Sequence, residues 1–106
     1  MTRKLEYLED ALIEAEEAAR WYAQRSPTAA AGFASELEAA AQAITETPNT
    51  WPAYDHDTRR FLLRRYPYSL IYRVETARLV IVAVAHGRRR PGYWKQRLEE
   101  RQSTGT

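Results

Sequence analysis

Apolar residues recur every three or four positions in the first half of this chain and every two positions in the second. The first period lines one face of a helix and the second lines one face of a strand. From about Asp10 to Arg25, Leu12, Ala15, Ala19 and Tyr22 share a helical face. A second helix is predicted from Pro27 to about Glu46, with the stripe Ala30, Phe33, Leu37, Ala40 or Ala41, and Ile44. Ser26 has the side chain of an N-cap, Pro27 suits the first helical position, and Pro48 lies just past the end. The density of alanine allows the two helices to approach closely as a hairpin. Ahead of them, "RKLEYL" at residues 3–8 predicts a short strand. Behind them, "TPNTWPAYDHDT" at 47–58 is rich in turn formers and reads as a linker-like loop.

Period-2 patterning then predicts strands over Arg60–Arg65, Tyr68–Glu75 and Arg78–His86, joined at "YP" and "TA". The economical arrangement is an antiparallel meander with the helical hairpin on one face. The fold class is therefore α+β: an N-terminal strand, a helical hairpin and a small antiparallel sheet in one domain over residues 1–106. Residues 95–106 form a short C-terminal extension, read as a flexible tail. A two-residue turn at Thr76–Ala77 pairs Val74 with Leu79 and Tyr72 with Ile81. One face then holds Phe61, Leu63, Tyr68, Leu70, Tyr72, Val74, Leu79, Ile81, Ala83 and Ala85, the core beneath the helices. The other face holds Arg60, Leu62, Arg64, Ser69, Ile71, Arg73, Val80, Val82, Val84 and His86. That face is too apolar at its centre to stay in water, so the segment "GYWKQRL", a second subunit or a partner is expected to cover it.

Charge changes the picture more than composition does. Residues 1–50 hold four Lys/Arg against nine Asp/Glu, while residues 51–106 hold twelve against five. A basic second half suits an anionic partner, nucleic acid or acidic protein, or else a solvated surface. The absence of cysteine excludes thiolate catalysis, thiolate metal sites and disulfides. No apolar run is long enough to span a membrane and the N-terminus lacks a secretory pattern, so a cytoplasmic location is expected. His56 between Asp55 and Asp57 is a weak metal signal, and no metal or cofactor is expected.

The pieces "ALIEAEEAARWY", "AAAGFASELEAAAQAI", "RRYPYSLIYRV" and "LVIVAVAHGRRRPGYW" together resemble the RelE/ParE superfamily of bacterial toxins, over roughly residues 4–97. The helical pieces are generic; "YPYSLIYRV" and "VAHGRRRPGYW" are specific. The resemblance implies the fold already read from the periodicity. It also implies the toxin component of a type II toxin–antitoxin module, neutralised by a cognate antitoxin in a toxin–antitoxin hetero-oligomer. Two activities come with it. ParE-like members, the plasmid-stabilisation branch that "HGRRRPGYW" resembles more, poison DNA gyrase. RelE-like members are endoribonucleases that cut mRNA on the ribosome. A third reading is a non-toxic binding module of the same fold.

Cleavage at a 2′-hydroxyl needs a base, an acid and cations for the phosphorane charge. Candidate residues for it are Arg60, Arg64, Arg73, His86 and Tyr93. Arg60 and Arg73 face each other in the register above, as if across an anion. His86 has the side chain for proton transfer near neutrality, yet it lies six residues beyond the position opposite Arg73, roughly 20 Å along a strand. That separation argues against a compact nuclease centre, and a strand-end histidine bonded to the following turn is the competing role. For binding a target or antitoxin, the candidates are Arg60, Arg64, Arg73, His86, Arg88, Arg89, Arg90, Tyr93 and Trp94. Arginine suits bidentate anion contacts, and Tyr and Trp are anchor types. Against this, Trp94 is the side chain of a core residue, and Glu14, Glu16 and Glu17 are available to pair with Arg88–Arg90.

Overall fold

The computed structural model describes residues 3–104. The elements run β1 (Lys4–Tyr7), α1 (Glu9–Ala23), α2 (Pro27–Glu46), β2 (Ala53–Tyr54), β3 (Thr58–Leu62), β4 (Tyr68–Val74), β5 (Arg78–His86) and α3 (Lys95–Thr104). The five strands form one sheet in the order β1-β5-β4-β3-β2. The meander is antiparallel as expected, but β1 adds to β5 in parallel, making the sheet mixed. A parallel neighbour needs a long crossover, and the helical hairpin between β1 and the meander supplies it.

Helix α2 starts where its cap predicts: the Ala29 amide donates to Ser26 Oγ at 3.2 Å. In α1 the buried stripe is Ala11, Ala15 and Ala18. Leu12, expected in that stripe, is 47 % exposed. The alanine side is the one pressed on the sheet because the approach there is too close for leucine. Phe33, Ala40, Ala41 and Ile44 carry the buried face of α2. Tyr22, Phe33, Tyr66 and Tyr68 interlock with ring centroids 5.0–6.4 Å apart. Gly32 is required beside them, since a Cβ there would overlap the Tyr66 hydroxyl, which donates to Ala29 O at 2.8 Å.

Two registers differ from expectation. Arg60 lies opposite Ile71, with Arg59 opposite Tyr72, so Arg60 and Arg73 do not face each other. The β3–β4 connection is longer than "YP": Leu63 still donates to the Tyr68 carbonyl at 3.0 Å, but Glu36 accepts the amides of Arg64 and Arg65 beyond it. A shift of two leaves the faces unchanged. The second difference is a bulge in β5. Tyr72 pairs with Ile81 but Ile71 with Ala83, leaving Val82 extra. Past it the faces exchange, so Val84 joins the helix-side core while Ala83 and Ala85 turn to the other side. His86 moves with Val84 and meets Tyr68 edge-on at 5.0 Å.

The other face is covered by the chain's own C-terminal segment. Trp94 and Leu98, 1 % and 4 % exposed, pack on Ile71, Val80, Val82 and Ala83. Residues 95–104 are helical where a tail was expected; 105–106 lie outside the described residues. The loop expected at 47–58 contains β2 and a tight turn in which His56 and Asp57 both take φ 58°. Both residue types tolerate that region, and Arg73 donates to their two carbonyls. Trp94→Ala is therefore expected to cost about 3–5 kcal/mol in urea unfolding, against less than about 0.5 for Leu62→Ala on the exposed end of β3. Equal costs would mean that the C-terminal segment does not close the core.

Candidate functional site

The geometry around the arginine loop starts from Glu14. It projects from α1 onto the part of β5 that β1 does not reach, since β1 ends at Tyr7 opposite Ile81. There Glu14 Oε1 accepts the Val84 amide at 3.0 Å. Arg97, from α3, holds both carboxylate oxygens at 2.9 Å and also donates to Val82 O at 3.0 Å. Tyr93 completes the cluster by donating its hydroxyl to Glu14 Oε2 at 2.6 Å. The two ionised side chains are 13 % and 16 % exposed, so the bidentate pair is largely dry. The bulge, the helix hairpin and the C-terminal segment all meet at this one carboxylate.

Burial alone would push the Glu14 carboxyl up, but the hydrogen bonds from Arg97, Tyr93 and the Val84 amide outweigh it and hold it below the usual range. Burial and the hydrogen bond to Glu14 both push the Tyr93 phenol up, well past its ordinary value. Tyr93 thus stays protonated.

Above this anchor, two clefts lie side by side. The larger, ≈ 400 Å³, opens against α1 and includes Glu17, Trp21, Tyr22 and Tyr68. The smaller, ≈ 130 Å³, opens on the sheet side and includes Tyr54, Arg60, Ser69 and Arg90. His86, Arg89 and Tyr93 belong to both and form the ridge between them. The smaller cleft has no carboxylate in its lining. Arg60 donates through Nε to Ser69 Oγ at 3.2 Å, with its guanidinium 5.3 Å from the Tyr54 ring. Arg89 stacks on Tyr93 at 3.8 Å. Gly92, at φ +78°, turns the chain so that Tyr93 and Trp94 point inward while the arginines remain outside.

The structure brings Arg60, His86, Arg89, Arg90, Tyr93 and Trp94 to this cleft and leaves three candidates elsewhere. Arg73 is spent on the 56–57 turn. Arg64 is exposed on the β3–β4 loop, and Arg88 is exposed beyond the ridge. Trp94 forms the buried floor and offers no free surface. His86 takes the strand-end role: its Nδ1 accepts the Arg88 amide at 3.0 Å, which leaves the ring proton on Nε2. Glu14 pairs with Arg97 and not with Arg88–Arg90, which make no ion pair among the described residues. Sequence reasoning missed Arg97, Tyr54 and Ser69. The signal for Arg97 was available, because Trp94 and Leu98 at helical spacing bracket it on a segment that was read as a tail.

The fold and the arginine-bearing cleft place the chain among small α+β proteins with a basic C-terminal loop. A family model described as "ParE toxin of type II toxin-antitoxin system, parDE" matches residues 5–91, and the chain belongs to that family. Among solved structures it is similar to one described as "Chromosomal ParDE TA system from P. aeruginosa". The TM-score is 0.70 at 17 % identity, covering 79 % of this chain and 95 % of that one. At that identity the likeness shows the fold. No curated protein sequence matches the chain.

The lowered pKa of Glu14 sets a pH dependence. The unfolded chain holds this proton at higher pH than the folded chain, so the contribution is complete above about pH 4.3 and is lost as pH falls through the lower, folded-state value. Glu14→Gln is expected to cost about 2–4 kcal/mol at pH 7. It should also flatten the acid limb of stability, as followed by urea unfolding between pH 3 and 7. The remaining acid loss belongs to other carboxylates, including Glu36, where burial is outweighed by the Arg65 and Arg64 amides. An unchanged acid limb would contradict the role given to Glu14.

Proposed function

We propose that this ParE-family toxin acts by poisoning DNA gyrase in the cytoplasm and is held inactive by a cognate antitoxin. One observation supports this over ribosome-dependent RNA cleavage: the cleft offers hydrogen-bond donors and no base. His86 has its Nδ1 lone pair occupied by the Arg88 amide and a proton on Nε2. Tyr93 is kept protonated by its bond to Glu14. Arg60 and the arginine loop bring cations, but nothing beside them takes a proton from a 2′-hydroxyl. Such a surface binds and holds; it does not cut. Among the described residues no helix is long and apolar enough to cross a membrane, as suits a toxin whose target is inside the cell. The aromatic cleft on the α1 side and the basic loop beside it would give an antitoxin segment two kinds of contact.

Expression without an antitoxin is expected to arrest growth with stalled replication and DNA damage. Purified protein should inhibit gyrase supercoiling and leave translation in an extract intact. Normal supercoiling together with cut messages on ribosomes would establish the RelE-like activity instead. Absence of any growth arrest would leave a binding module.

A further inference from the structure

We propose that the smaller cleft is a phosphate site that holds one backbone phosphate of a nucleic-acid strand. The inference goes beyond the toxin's target and does not rest on gyrase being that target. It starts from an imbalance of charge: Arg60, Arg89 and Arg90 converge on one cleft, and none of them has a carboxylate partner among the described residues. Elsewhere Arg97 is neutralised by Glu14, Arg78 by Glu6 and Glu75, and Arg65 by Glu36, while Arg59 and Arg73 spend their guanidinium groups on backbone carbonyls. Three cationic side chains lining one cleft with no carboxylate among them favour an anion there.

The groups are also set for binding. Arg60 spends Nε on Ser69, which leaves its terminal nitrogens as donors, and Ser69 Oγ, accepting that bond, keeps its own proton to give. Arg60 and Arg89 lie over the Tyr54 and Tyr93 rings at 5.3 and 3.8 Å, which fixes the planes of both forks before a ligand arrives. The donors come from β3, β4 and the loop after β5, so they approach from several directions. A tetrahedral phosphate has oxygens to meet all of them, whereas a planar carboxylate is satisfied by a single guanidinium fork. The volume, ≈ 130 Å³, has room for a phosphate group.

The first test uses the unmodified protein and inorganic phosphate, read by NMR at the arginine Nε–H signals. The signals of Arg60, Arg89 and Arg90 are expected to move together and those of Arg20 and Arg25 to stay. The second measures binding of a fluorescent duplex DNA and a single-stranded RNA of equal length across a salt series. Arg60→Gln and Arg90→Gln should each weaken binding about tenfold and reduce the salt slope by about 1, while Arg20→Gln, with the same change in net charge, should do neither. Circular dichroism on each variant checks that it folds. Binding of RNA but not DNA would uphold the phosphate site while removing support from the gyrase reading. Equal weakening by Arg20→Gln, phosphate shifts spread over all arginines, or capture of a poly-glutamate peptide by these arginines without nucleic-acid binding would overturn the inference.

Discussion

The carboxylate of Glu14 is the point on which the rest of the molecule closes. A strand that outruns its neighbour exposes backbone groups that must be satisfied, and β5 does so past Ile81. Glu14 and Arg97 cover that edge by taking the Val84 amide and the Val82 carbonyl, and they neutralise each other in doing so. A largely buried ion pair is a weak source of net stability, because desolvating two charges offsets most of their attraction. Its value here is positional. It joins α1, the β5 bulge and α3, and through Tyr93 it sets the angle at which the arginine loop leaves the sheet.

Two consequences follow for function. The C-terminal segment is structural up to Trp94 and Leu98, which seal the outer face of the sheet. It is exposed where the chain turns, at residues 87–91, and again on the outer side of α3. Cations on a turn pinned at both ends keep their places without cost at the moment of binding, as a pre-organised anion site requires. The same pinning engages His86 Nδ1 with the Arg88 amide and the Tyr93 hydroxyl with Glu14.

Most of the architecture was legible in the sequence because periodicity reports burial directly. Helix α2 was placed with its cap and both of its ends, and β5 with both ends, from Ser26, Pro27 and the run "LVIVAVAH". What escaped was set by single tertiary contacts. The β5 bulge leaves no mark in an unbroken run of valine and alanine, yet it moves His86 to the opposite face. The lengthened β3–β4 loop depends on Glu36, 28 residues away from the amide it accepts. At the site, Arg60, His86, Arg89 and Arg90 were identifiable as residue types, whereas Arg73 was lost to a turn whose carbonyls no pattern predicts.

Amide hydrogen exchange across β5 tests the central claim most directly, comparing the wild type with Glu14→Gln at neutral pH. The account predicts that the Val84 amide and those of residues 89–97 lose protection together, while the amides of Tyr72 and Leu79 in the paired ladder keep theirs. Unchanged protection at Val84, or a uniform loss over the whole sheet, would contradict it.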